Sequence, residues 1–255
     1  MLLAVDVGNS TTVVGLFQDQ KLVHHWRLST DMQRTSDEFA LIVQGLLGFA
    51  GLSFTHNVHG LVMSSVVPTL TETLREMVDR YFPFAPVVVE PGTKTGIALR
   101  YEHPREIGAD RIVNAVAAFE LYGGPAIVVD FGTATSFDAI NGRGEFVGGA
   151  IAPGVHTSTE ALVAKAARLP KVETMTPPTA IGRSTTAALQ SGIVYGFAGQ
   201  VDAIVERISE ELGSGVTTVA TGGLAPAVLD ACTRLDHSDP WLTLKGLRII
   251  WERNT

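Results

Sequence analysis

The sequence predicts an α/β fold written twice: two domains, each a mixed sheet begun by a three-strand antiparallel meander and flanked by helices. Three observations predict it. First, Leu3-Ala4-Val5-Asp6-Val7-Gly8 recurs as Ile127-Val128-Val129-Asp130-Phe131-Gly132, at an offset of 124 positions. Second, after each copy short apolar runs alternate with segments of helical period, the pattern of strands linked by helices. Third, 45% of the 255 residues are apolar and only 18% charged, a composition that fills a core. That length suits one to two domains.

The elements follow in order. At the same offset Thr11 and Thr12 fall on Thr135 and Ser136, Val13 on Phe137, and Leu16 on Ile140. The turn Gln18-Asp19-Gln20 falls on Gly142-Arg143-Gly144, and Leu22-Val23 on Phe146-Val147. Each copy therefore reads strand, tight turn, strand, polar turn, strand. Thr35 and Glu38 have capping-box spacing, and Phe39, Ile42, Val43, Leu46 and Leu47 mark one face of the helix they open. A buried-type strand at 60–67, a helix opened by Pro68 and a strand at 87–89 complete the first half. In the second half helices are expected at 156–168, 185–212 and 242–253, with a strand at 216–220 and a Pro-rich loop at 170–178. The seam is expected near Gly123-Gly124-Pro125, dividing the chain into halves 1–123 and 124–255 that face each other.

Charge narrows the function. Nineteen Lys and Arg against 26 Asp and Glu give a net charge of −7. With a pI near 5.5 there is no basic footprint for nucleic acid and no attraction to anionic lipid. The single cysteine, Cys232, excludes an internal disulfide framework and a Cys-rich zinc module. The apolar start meets Asp6 too early for a secretory signal, and no window reaches the ~20 apolar residues of a membrane span. The expectation is a cytoplasmic protein with no nucleic-acid or membrane partner.

Chemistry concentrates at the paired Asp-x-Gly turns. Gly8 and Gly132 let a ligand approach the backbone. Asn9, Ser10, Thr11 and Thr12, and in the second copy Thr133, Thr135 and Ser136, can donate to phosphate oxygens. Asp6 and Asp130 would repel a phosphate unless a cation lay between. One such hairpin alone is an ordinary Gly/Asn turn with polar decoration, whereas two facing copies make a clamp for a polyphosphate. No G-x-x-x-x-G-K-[ST] motif occurs, so a P-loop is absent.

Gly108-Ala109-Asp110-Arg111 opens a helix whose apolar set is Ile112, Val113, Val116 and Phe119. Asp110 there either complements the helix dipole or serves as a base beside a substrate-fixing Arg111. Thr221-Gly222-Gly223-Leu224 is either a plain strand-to-helix turn or a flat surface for a purine, and Gly148-Gly149 and Pro153-Gly154 admit the same two readings. His56 and His59 read as a surface turn rather than metal ligands, and Cys232 shows no base beside it. Leu189, Ile193, Val194, Phe197 and Val201 form an apolar stripe on the 185–212 helix, and Ala187, Ala188, Tyr195 and Ala198 widen it. A helix apolar nearly all round needs cover on more than one side, which a second subunit would supply.

These motifs resemble the type III pantothenate kinases of the actin/hexokinase/Hsp70-type ATPase superfamily. The marks are the run from Asp6 to Gly15, Tyr101 followed by Pro104 and Gly108-Ala109-Asp110-Arg111, and Asp130-Phe131-Gly132-Thr133-Ala134. Further marks are Gly148-Gly149 with Pro153-Gly154, Gly182-Arg183-Ser184-Thr185, and Leu242-Thr243-Leu244-Lys245-Gly246-Leu247. Asn9-Ser10-Thr11 stands where the family usually has Asn-Thr-Asn. The resemblance implies duplicated ribonuclease H-like (actin-like ATPase) domains and ATP-dependent phosphorylation of pantothenate, the first step towards coenzyme A. It implies that Asp6, Val7, Gly8, Asn9, Ser10, Thr11, Thr12, Val13 and Thr133 bind ATP, with Asp6 near Mg²⁺. It implies Asp130 as ligand of a monovalent cation (K⁺ or NH₄⁺) and Asp110 as general base. Tyr101, Gly108, Ala109, Asp110, Arg111 and Thr185 then form the pantothenate site, in a homodimer. The alternatives are a related small-molecule kinase or a catalytically silent, Bvg accessory factor-like regulator.

Overall fold

Leu2–Val7 (β1), Thr11–Gln18 (β2) and Lys21–Ser29 (β3) form the expected antiparallel meander in a computed structural model that describes residues 1–223 and 226–255. Gly60–Ser65 (β4) pairs parallel with β1, and Val87–Val88 (β5) parallel with β4. The sheet order is β3-β2-β1-β4-β5. The central strands β1 and β4 are buried almost throughout, which is why they read as unbroken apolar runs rather than alternating ones. Ser36–Phe49 (α1) starts at the full Thr35/Glu38 capping box. After the short Phe54–Asn57 (α2), Pro68–Tyr81 (α3) has Pro68 at its first turn, where the missing N–H is not needed. These helices close one core around Leu3, Leu16, Phe39, Met63 and Leu74. Ala109–Tyr122 (α4) follows a 3₁₀ turn at Pro104–Glu106.

The second sheet repeats the plan. Ala126–Phe131 (β7), Ala134–Ile140 (β8) and Glu145–Pro153 (β9) form the meander, with the two-residue Ala98–Leu99 (β6) parallel to β9. Val155–Lys165 (α5) and Thr185–Leu212 (α6) lead to Thr217–Gly222 (β10), parallel to β7; Pro226–Leu229 (α7) and His237–Ser238 (β11) follow, with β11 parallel to β10. The order β11-β10-β7-β8-β9 is that of the first sheet, with β6 added at the edge. Ile127, Phe137, Ile193 and Val201 lie at the centre of its core.

Strand pairing corrects the repeat alignment in its second strand. Val7 pairs with Thr12 and its counterpart Phe131 with Thr135, so Thr12 corresponds to Thr135 and not to Ser136. The turn at 132–133 is one residue shorter than that at 8–10, and one residue more lies between the paired Ile140 and Phe146 than between the paired Phe17 and Leu22. Leu22 and Phe146 therefore correspond again.

The chain divides into two compact units, Met1–Ile97 with Glu102–Ala117 and Leu242–Thr255, and Ala98–Tyr101 with Ala118–Trp241. The division departs from halves 1–123 and 124–255 chiefly at the last helix, Leu242–Asn254 (α8). That helix packs on β1, β2 and β4, where Leu244 reaches Gly15 and Trp251 lies over Gly60. Amphipathic period shows that a helix has a buried face; it does not say which sheet that face covers.

Candidate active site

In the first unit the site is built at the carboxyl ends of β1 and β4. Asp6 pairs with Ser64 in register, and the buried Ser64 hydroxyl donates to Asp6 Oδ1 at 2.7 Å. One carboxylate oxygen is thereby held in place. Asn9 and Ser10 are exposed in the turn, and Gly8 closes it with its N–H on Thr11 O at 3.0 Å. Thr30 braces the turn: its hydroxyl donates to Gly8 O at 2.8 Å and meets Thr12 Oγ1 at 2.9 Å. Thr12 must then donate to Thr30, and at 1% exposure its side chain supports the hairpin rather than reaching a ligand. Thr135 is equally buried, and its hydroxyl has no hydrogen-bond partner in the protein. Among the 6–13 residues, Val7 is also buried, leaving its backbone to act.

The turn before α4 comes to the same end of that sheet. Val66 N–H donates to Val7 O at 3.0 Å, and the Val66 side chain lies beside Gly108. Asp110 folds back so that its Oδ1 accepts the Arg111 N–H at 2.9 Å. A Cβ on Gly108 would run into that oxygen, so the carboxylate keeps this position only beside a glycine. Burial raises the Asp110 pKa above the ordinary carboxylate value, against the opposing pull of the Arg111 N–H and charge. A half-buried carboxylate with raised proton affinity near the strand ends is a candidate base.

In the second unit Asp130, next to the last residue of β7, lies opposite Thr221 of β10. Gly222 has φ +92, and a Cβ there would be 2.6 Å from Asp130 Oδ1 and 2.5 Å from Phe131 O, so backbone conformation and space both demand glycine. Thr133 is exposed at the turn, and its carbonyl accepts the Thr157 hydroxyl at 2.7 Å and the Gly154 N–H at 3.1 Å. Tyr101 follows β6, 37% exposed, with its ring edge-on to Phe146. Thr185 is exposed at the start of α6, behind the N-cap Ser184. Of the motif at 221–224, Leu224 lies outside the described residues.

Sequence reasoning missed Ser64, Thr30 and Thr157, the residues that hold the turns. Only the polar Ser64-Ser65 ending of an apolar strand signalled one of them. The other titratable groups stay apart from this chemistry. Burial and the nearby Asp202 push the Cys232 thiol to about 12, which suits an inert side chain. His59 contacts the terminal amine and His56 contacts Ser53. No group of three or more His, Cys, Asp or Glu among the described residues is placed to hold a metal, and no helix among them is long and apolar enough to cross a membrane. The donors present are single carboxylates, hydroxyls and carbonyls. Such a set fits a hard cation that completes its shell with substrate phosphates.

Comparison with known proteins shows the family. A family model described as type III pantothenate kinase matches residues 2–207. Relatives named type III pantothenate kinase from Streptomyces coelicolor and Moorella thermoacetica are each 54% identical. They match 100% of this chain, over 98% and 100% of their own lengths. In fold, the chain is similar to a conserved putative Baf family transcriptional activator from Campylobacter jejuni, with TM-score 0.64, 20% identity, and coverage of 99% of this chain and 98% of that one. The doubled sheet order, the paired Asp-x-Gly hairpins and the full-length matches lead to one conclusion: the chain belongs to the type III pantothenate kinase family.

Proposed function

We propose that this protein transfers the γ-phosphoryl group of ATP to the primary hydroxyl of pantothenate, forming 4'-phosphopantothenate for coenzyme A synthesis. Within the molecule, the observation that carries the chemistry is Asp110, half-buried and raised in proton affinity at the start of α4. Phosphoryl transfer needs positioning and charge neutralisation more than covalent help. The backbone and hydroxyls of residues 6–13 hold the phosphates, with Thr12 bracing the hairpin, and Thr133 of the second unit adds a contact to ATP. Asp6, oriented by Ser64, would hold Mg²⁺, and Asp130 would hold K⁺ or NH₄⁺. When bound, these cations neutralise phosphate charge. Tyr101, Gly108, Ala109, Arg111 and Thr185 position pantothenate, and Asp110 accepts the proton of its attacking hydroxyl. A base works best with a pKa near the working pH, and burial moves Asp110 in that direction. The reaction is placed in the cytoplasm. ADP release measured over a panel of acceptors tests the reading: pantothenate should support turnover, and hexoses or glycerol should not.

Gly108→Ala should lower turnover while changing thermal stability little, because the added methyl displaces the Asp110 carboxylate and otherwise meets nothing nearer than Val66 at 3.7 Å. Steady-state kinetics beside a melting curve checks this; unchanged turnover would contradict the placement of the base.

The assembly is a homodimer through α6. Val194, Ala198 and Val201 are buried in the second unit's own core, so Ala198 does not widen the outer face as the sequence suggested. The exposed face comprises Ala188, Gly192, Tyr195, Gly196 and Gly199, and nothing lies within 4 Å of a Cβ added at any of its three glycines. Sedimentation should report twice 27.1 kDa, and Gly196→Arg should return the mass to that of one chain. A monomeric parent with full activity would overturn the assembly.

A further inference from the structure

A carboxylate of the second unit that lies outside the proposed phosphoryl-transfer residues takes four side-chain contacts. Glu145 opens β9, opposite Ala98 of β6. Strand β6 has two residues, and the Arg100 N–H adds a bond to Phe146 O at 2.8 Å. So short a strand has few ladder bonds to hold its position. The Glu145 side chain, 12% exposed, divides its two oxygens. Oε1 accepts Arg100 Nε at 3.0 Å and Nη2 at 2.9 Å. Oε2 accepts Asn141 Nδ2 at 2.7 Å and Arg143 Nη2 at 3.0 Å. Asn141 Oδ1 in turn accepts the Glu145 N–H at 3.0 Å, so the carboxylate is fixed to its own hairpin before it grips Arg100. Charge-assisted bonds of this kind are the strong ones.

The residue after Arg100 is Tyr101. Its ring stands edge-on to Phe146 with centroids 6.0 Å apart, and its Cε2 is 3.9 Å from the point a Gly148 Cβ would occupy. Strand β9 thus holds Arg100 through Glu145 and seats the neighbouring ring on Phe146 and Gly148. We propose that Glu145 is a positioning residue for the acceptor site, locking β6 to β9 through Arg100 so that the Tyr101 ring is fixed where pantothenate binds. This rests on the assignment of Tyr101 to pantothenate made above.

The test compares Glu145→Gln, Arg100→Met and Tyr101→Ala in kinetics, and follows the rings by ¹⁹F NMR of protein carrying 3-fluorotyrosine. The chain has four tyrosines, and the Tyr101 resonance is the one lost in Tyr101→Phe. Glu145→Gln should move that resonance and raise the pantothenate KM about tenfold, the scale of a lost charged hydrogen bond. The ATP KM, kcat at saturation and Tm should stay near the parent's, and Arg100→Met should reproduce the effect without adding to it. Three results would overturn the proposal. One is an unmoved resonance with unchanged pantothenate KM. Another is a general loss of Tm with both KM values raised. The third is an unchanged pantothenate KM in Tyr101→Ala, which removes the assignment of Tyr101 itself and is recognised by that variant alone.

Discussion

Asp110→Asn should lower turnover by about 10²–10⁴-fold, the usual cost of a lost general base, and leave ATP binding in place. It should also leave the protein at least as stable at neutral pH. Burial raises the carboxyl pKa in the folded state, so that state holds the proton more tightly than the unfolded chain does. Stability therefore falls as pH rises from the unfolded value through the folded one, and stays lower above it. The amide removes this penalty, and at the helix start it can still accept the Arg111 N–H that the carboxylate accepts at 2.9 Å. Activity and stability thus move in opposite directions, as expected where a site is held in an unfavourable ionisation state for function. The parent's kcat/KM should fall on the acid side about a pKa above the usual ~3.9 of an aspartate. Single-turnover kinetics and melting curves at neutral pH check both halves. Near-parental turnover in the variant, or a lost acid limb in the parent, contradicts the role.

Turnover should also stop when K⁺ and NH₄⁺ are replaced by a bulky organic cation, on the proposed role of Asp130. Its carboxylate lies next to the end of β7, beside Gly222 and three residues before the exposed Thr133. A phosphate charge brought within ~4 Å of it is repelled by about 4 kcal/mol at an effective dielectric of 20, enough to suppress ATP binding by about 10³-fold. A monovalent cation on the carboxylate cancels that term. In Asp130→Asn the repulsion and the cation ligand disappear together, so the residual activity should no longer respond to K⁺. Titration of K⁺ against ATP KM for both proteins checks this. Full parental turnover without K⁺ or NH₄⁺, or a K⁺ response kept by the variant, counts against the assignment.

What was legible in the sequence was what neighbours in sequence decide. The Thr35/Glu38 box formed as read, Pro68 opened α3, and the long helix runs over Thr185–Leu212. The repeated Asp-x-Gly turns were legible because each is a local strand-turn-strand signal. What tertiary contact decides was not. The destination of α8, the hydroxyl of Ser64 on Asp6 from 58 positions away, and the inward turn of Thr12 towards Thr30 each depend on which strands lie side by side. The two-residue strands β6 and β11 were missed because neither Ala98-Leu99 nor His237-Ser238 carries the β-branched run, Val87-Val88-Val89, that made the equally short β5 readable.

The most direct measurement of the central claim is identification of the product. The purified protein, incubated with ATP, Mg²⁺, K⁺ and pantothenate, should yield ADP and an equal amount of phosphorylated pantothenate. ³¹P NMR coupling to the terminal methylene should place the phosphate on the primary hydroxyl, and Asp110→Asn run in parallel should yield almost none. Unmodified pantothenate after complete incubation of the folded parent protein, or phosphate found on any other atom, would contradict the account.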